Sequence, residues 1–175
     1  MKRIARFYKV SRERFEKDLL EALGEGWKAE GKTLEAIYEG IKLPQRATSG
    51  SAGYDFFLPV PLSLKPGEAV KIPTGIRAQM GEEWVLQIYP RSGLGFKYRL
   101  QMNNTVGIID SDYFFSDNEG HILIKVFNDG REGKTVELPA GAAFAQGIFL
   151  EYGITEDDNI SNSRNGGFGS TDAGR

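Results

Sequence analysis

The chain has 175 residues, of which 40% are hydrophobic and 26% charged, values that fit one globular domain with a sizeable core. Its net charge of −2 argues against a general nucleic-acid or membrane-binding surface, which would favour an excess of Lys and Arg. It contains no cysteine, so disulfides, thiolate catalysis and cysteine-based zinc sites are excluded.

The start, Met1-Lys2-Arg3-Ile4-Ala5-Arg6, is basic, but no apolar stretch comes after it, so a signal peptide is not expected. No apolar run approaches the length of a membrane span. A cytoplasmic protein with no membrane partner is the expectation.

Residues 1–43 differ in texture from the rest of the chain and predict a strand plus a helical extension packed on the outside of the main domain. Ile4 to Val10 reads as the strand. Ser11 is placed to cap a helix over Arg12 to Leu23, with Phe15, Leu19 and Leu23 spaced four apart on one face. Gly24 and Gly26 would end it. Thr33 predicts the cap of a shorter helical turn through Tyr38.

From residue 44 to 154 the pattern is mostly β. Short runs recur at Ala69 to Ile72, Gly75 to Gln79, Trp84 to Tyr89, Thr105 to Ile109, Ile122 to Phe127, Thr135 to Leu138 and Ala142 to Leu150. Turn signals such as Lys65-Pro66-Gly67-Glu68 and Asn128-Asp129-Gly130 separate them. Such spacing predicts a sandwich or jelly-roll-like β-barrel. Residues 155–175 hold acidic and amide side chains and then a glycine-rich end with a single Phe168. Nothing there builds a core; it is either a disordered terminus or a flexible arm that closes over a ligand.

The most informative stretch is Gly107-Ile108-Ile109-Asp110-Ser111-Asp112-Tyr113. It hands a carboxylate, Asp110, from an apolar strand into a turn, beside a second carboxylate and an aromatic. Read alone, this is either an ordinary polar strand end or a site for activating water. Pro90-Arg91-Ser92-Gly93 suits a phosphate: Arg forks two bonds to its oxygens, the hydroxyl adds a donor, and glycine lets backbone N–H groups approach. It is also what a solvated turn looks like. Phe96 and Tyr98 read as packing residues. No G-x-x-x-x-G-K-[ST] loop occurs. The single His121 has no His or Cys to share a metal with, and reads as an exposed turn or strand-start residue.

Five segments in this order, Ser51-Ala52-Gly53-Tyr54-Asp55, Pro90 to Gly93, Gly107 to Tyr113, Phe144-Ala145-Gln146 and Gly166-Gly167-Phe168-Gly169-Ser170-Thr171, resemble the five motifs of trimeric deoxyuridine triphosphatases (dUTPases). The resemblance spans roughly Lys42 to Asp172. It implies a jelly-roll-like subunit, a homotrimer with sites at subunit interfaces, and magnesium. It also implies hydrolysis of dUTP to dUMP and pyrophosphate by in-line water attack on the α-phosphate, which limits uracil incorporation into DNA and supplies dUMP for dTMP synthesis.

On this resemblance Asp110 is the general base, and Asp55 lies near the metal through water. Tyr113 packs on the deoxyribose and leaves no room for a 2′-hydroxyl. Asn104, an amide with both donor and acceptor, and the hairpin that includes Gly107 face the uracil edge. Arg91, Ser92, Gly93 and Gln146 serve the phosphates. In the tail, Phe168 stacks over uracil within Phe168-Gly169, Ser170 and Thr171 reach phosphate, and Arg164 is the candidate for the tail arginine.

Five features depart from the family pattern. Residues before Ile41 are extra, and Phe114 to Glu119 lengthen the hairpin after Tyr113. Ala143 stands where an arginine is usual. In the tail, Arg164 lies four rather than five residues before Phe168, and Asp172 replaces a glycine. Two other readings are a dCTP deaminase of the same fold and a non-enzymatic regulator. The deaminase needs a glutamate that Gln101-Met102-Asn103-Asn104-Thr105-Val106 lacks.

Overall fold

The computed structural model describes residues 2–24 and 31–160. Among the described residues twelve strands run in chain order: β1 (Ala5–Lys9), β2 (Gln45–Arg46), β3 (Tyr54–Phe57), β4 (Leu62–Leu64), β5 (Ala69–Pro73), β6 (Ile76–Met80), β7 (Trp84–Pro90), β8 (Leu100–Met102), β9 (Gly107–Ile109), β10 (Leu123–Asn128), β11 (Val136–Leu138) and β12 (Ala143–Glu151). Helices α1 (Arg12–Leu23) and α2 (Leu34–Glu39) lie between β1 and β2, and α3 (Ser92–Tyr98) comes after β7. A short 3₁₀ turn, Ser111–Phe115, comes after β9.

All strand pairs are antiparallel. The largest sheet has the order β2-β3-β12-β7-β9, and a second has the order β5-β10-β8; β1 pairs with β6 and β4 with β11. Strand alternation positions the core. In β4 Leu62 and Leu64 point in and Ser63 out; in β10 Ile124 and Val126 are buried and Lys125 is exposed. Phe56, Leu86, Ile88, Ile109 and Phe144 of the large sheet share one core with Ile72, Leu100, Met102, Ile124 and Val126 of the second. The expected jelly-roll-type β fold is what forms.

The N-terminal helices obey their sequence signals. Ser11 Oγ accepts from Arg14 N–H, and Gly24 leaves α1 at φ +80°. Thr33 Oγ1 accepts from Ala36 N–H at the start of α2. Gly26 lies outside the described residues. Residues 1–43 are more than an outer layer, however. Val10, Phe15, Leu19, Ile37 and Ile41 are buried in the same core as the sheets, and β1 pairs with β6 over five residues.

Three sequence readings are corrected. Arg91-Ser92-Gly93 is not a turn: Ser92 opens α3, anchored by Leu94 and Tyr98 packed against the core. That tertiary contact overrides two helix-breaking glycines. Phe96, on the outer face of α3, is 92% exposed and packs on nothing in the chain's core. His121 is 0% exposed rather than on the surface. Gly75 N–H donates to its Nε2 at 2.8 Å. Its Nδ1 therefore carries the proton, donated to Asp18 Oδ2 at 2.5 Å. Arg14 forks onto the same Asp18 carboxylate.

Candidate active site

One group of expected site residues gathers at the end of the large sheet. Across β3, β12 and β7 the register places Asp55 beside Gln146 and Gln146 beside Tyr89. Arg91, just past β7, pairs through Nε with Asp55 Oδ1 at 3.1 Å. Gln146 Nε2 donates to Pro90 O at 3.1 Å. Gly53 leaves room for the Gln146 amide as it lies, since a Cβ would stand 2.6 Å from Gln146 Oε1 and push that side-chain end aside. Ser92 and Gly93 are exposed on the first turn of α3, so Arg91, the hydroxyl and the start of a helix face one region, an arrangement suited to anionic oxygens.

A second group surrounds a cleft of about 300 Å³. Ile88, Met102 and Ile124 give it apolar walls, and Asn104 and Gly107 of the β8–β9 connection also line it; the hairpin expected here does not form, since β8 pairs with β10 and β9 with β7. The connection is tightly turned: Val106 N–H donates to Asn104 O at 2.8 Å, and Thr105 takes φ +69°. Gly107 is packed against β7, where a Cβ would meet Ile88 Cβ at 3.1 Å. An apolar slot with amides at its mouth suits a flat heterocycle with polar edges. Lys71 and Lys125, cross-strand neighbours on β5 and β10, also line this cleft. Neither stands out in the sequence; their only signal is their outward position in alternating strands.

Asp110 leaves β9 at φ −76° and ψ 158°, half-buried, and its backbone carbonyl accepts from Tyr113 N–H at the start of the 3₁₀ turn. Tyr113 is 4% exposed. Its hydroxyl donates to His121 O at 2.8 Å and accepts from Asn118 Nδ2 at 2.7 Å.

Within one chain Asp110 is separated from Arg91. Ile109 pairs with Leu86, five residues before Arg91, which is roughly 17 Å of extended strand. Since β9 runs antiparallel to β7, Asp110 lies farther still from Arg91. Ala143 faces Phe57 across the strands, and Lys42 Nζ lies 5.6 Å from that ring. Arg164, Phe168, Gly169, Ser170 and Thr171 lie outside the described residues. Among the described residues, no group of three or more His, Asp or Glu side chains is placed to hold a metal ion. No helix among them is long and apolar enough to cross a membrane.

Residues 39–172 match the family model described as dUTPase. The chain is 40% identical over 137 residues to the deoxyuridine 5′-triphosphate nucleotidohydrolase of Lactococcus lactis, covering 77% of this chain and 90% of that one. It is 39% identical over 136 residues to the enzyme of the same name from Paraburkholderia xenovorans, covering 74% and 88%. Among solved structures, a dUTPase from Streptococcus mutans superposes with a TM-score of 0.58 at 36% identity, covering 65% of this chain and 88% of that one. The phage phi11 dUTPase of S. aureus, in a mutant form with a structural Mg(II) ion, shares the fold at a TM-score of 0.57 and 22% identity, covering 69% and 90%.

Proposed function

The chain belongs to the dUTPase family, and from that premise we propose that it hydrolyses dUTP to dUMP and pyrophosphate. The observation that carries this is the convergence of Asp55, Arg91 and Gln146, from three separate motifs, at one end of one sheet. In the cell the reaction keeps uracil out of DNA and supplies dUMP for dTMP synthesis. The cytoplasm, where nucleotides are made, is the matching location.

Asp110 takes a proton from water, whose oxygen attacks the α-phosphorus in line. The bond from the α-phosphorus to the bridging oxygen breaks, and pyrophosphate leaves. Asn104 and the backbone of the β8–β9 connection through Gly107 hold the uracil edge. Tyr113 lies under the deoxyribose and rejects a 2′-hydroxyl. Arg91, Ser92, Gly93 and Gln146 bind phosphate oxygens. From the tail, Phe168 stacks on the base beside Gly169, and Ser170, Thr171 and Arg164 bind the phosphates.

Magnesium fits this site only as an ion brought in on the triphosphate. Asp55 offers one carboxylate, already facing Arg91, which suits contact through bound water rather than direct ligation. When bound, the ion neutralises phosphate charge and orients the chain of phosphates.

The separation of Arg91 from Asp110 along β7 supports a homotrimer in which neighbouring copies complete each site. No nucleic acid or membrane enters this reading.

The test is a nucleotide panel. Purified protein with magnesium is offered dUTP, dCTP, dTTP and UTP separately, with pyrophosphate and base identity monitored. Pyrophosphate and dUMP from dUTP alone is expected, and chelation should abolish it. Deamination of dCTP, or no turnover, would overturn the proposal.

A further inference from the structure

The two additions that set this chain apart, the helical segment before Ile41 and the long loop after Tyr113, bind each other. Ser11 donates to Glu119 from its backbone N–H at 2.8 Å and from its hydroxyl at 2.6 Å. Asp18, seven residues on, accepts from His121 Nδ1 at 2.5 Å. Ser11 caps α1 and Asp18 lies inside it, so the helix touches the loop region both at its start and within its length. All of α1 precedes residue 39, where the family match begins.

The loop they hold is the one that closes on Tyr113. His121 is fixed at three points: Nδ1 by Asp18, Nε2 by Gly75 N–H, and its backbone carbonyl by the Tyr113 hydroxyl. Asn118 donates to that same hydroxyl. Gly120, at φ +68°, presses its backbone against the turn; a Cβ there would stand 2.7 Å from both Tyr113 O and Phe114 Cα. Glu119 sits at φ +60°, a conformation a non-glycine residue keeps only when its surroundings impose it, and Ser11 supplies two bonds that do so.

We infer that α1 is a positioning element for Tyr113: Asp18, through His121, fixes the loop that bonds the Tyr113 hydroxyl, and so sets how strictly the site rejects ribose. This rests on the reading of Tyr113 as the floor under the sugar. A buried carboxylate with Arg14 and His121 around it is a poor way to gain stability alone, since apolar replacements of such groups are often neutral or better. Its directional bonds do fix orientation, and a ring that excludes one hydroxyl needs placement to within a fraction of an ångström.

The test measures kcat and KM for dUTP and UTP, with melting temperature, in Asp18→Ala, Asp18→Asn, Tyr113→Phe and the Asp18→Ala/Tyr113→Phe double variant. Asp18→Ala and Tyr113→Phe should each raise the UTP-to-dUTP ratio of kcat/KM about fivefold, and the double variant should raise it no further, as for residues on one chain of contacts. Asp18→Asn should restore the ratio to within about twofold, because the amide oxygen still accepts from His121 Nδ1. A lower melting temperature with an unchanged ratio would overturn the proposal and leave α1 as packing. If Asp18→Ala does not fold, Glu119→Gly decides: it keeps the backbone angle, loses both Ser11 bonds, and should shift the ratio about twofold in the same direction. Tyr113→Ala separates the premise from the proposal. An unchanged ratio in that variant would remove Tyr113 from the sugar site itself, whereas a raised ratio there with none in Asp18→Ala or Glu119→Gly would refute only the role of α1.

Discussion

Arg91 Nε lies 3.1 Å from Asp55 Oδ1, a pair that reaches across β12 and brackets Gln146. The carboxylate orients a guanidinium whose side chain is still 43% exposed, leaving its outer N–H groups for phosphate oxygens. Arg91→Ala should therefore raise KM for dUTP about tenfold or more, the loss of charge-assisted bonds to phosphate. Unfolding free energy should change by less than about 1 kcal/mol, because a half-exposed pair contributes little. Steady-state kinetics with a denaturant titration separates the two effects; a large stability loss with normal KM would make Arg91 structural.

Much of this arrangement is legible in the chain alone. Ser11 and the spacing of Phe15, Leu19 and Leu23 predict α1, and the apolar runs of β7, β10 and β12 carry the large elements. Strands β4 and β8 are too short to show a period, and β3 reads as a motif rather than a strand. The burial of His121 depends on Asp18, 103 residues away, and no local pattern encodes that. Likewise α3 forms because Leu94 and Tyr98 find the core, whereas its own sequence looks like a turn. The five motifs set the site's order, but only the register of β3, β12, β7 and β9 puts Asp55 beside Gln146 and Asp110 away from Arg91.

Asp110→Asn tests the base directly. The amide keeps the size and one acceptor but cannot take a proton, so kcat should fall about 10²-fold to 10⁴-fold. Binding of a non-hydrolysable dUTP analogue, measured by calorimetry, should stay within about threefold, since the base acts mainly in the transition state. Near-normal turnover would end the assignment of Asp110.

Gly120→Ala probes the loop backbone. At φ +68°, with backbone atoms 2.7 Å from the position of a Cβ, an added methyl group is both strained and obstructed. The variant should lose roughly 2 kcal/mol or more of stability. Gly133, at φ +71° with open space around it, provides the comparison: Ala there should cost about 1 kcal/mol, from the backbone angle alone. Equal losses at the two positions would mean that the loop does not press on the Tyr113–Phe114 backbone.

The Asp18 carboxyl links the helix to pH. Burial pushes its pKa up, but hydrogen bonds from His121 and Arg14 outweigh that and hold it at about 2, against an ordinary value of 3.8. A depressed carboxyl favours the folded state where it is ionised in both states, so its contribution is complete above about pH 4 and fades as pH falls towards 2. The difference corresponds to about 2 kcal/mol. Asp18→Asn keeps the acceptor for His121 but has no charge to lose. Denaturant unfolding from about pH 6 down to about pH 2 should show the native protein's advantage over Asp18→Asn shrinking by about that amount across this window. A constant gap between the two proteins would mean that Asp18 does not titrate with folding, and that Arg14 and His121 hold it by shape rather than by charge.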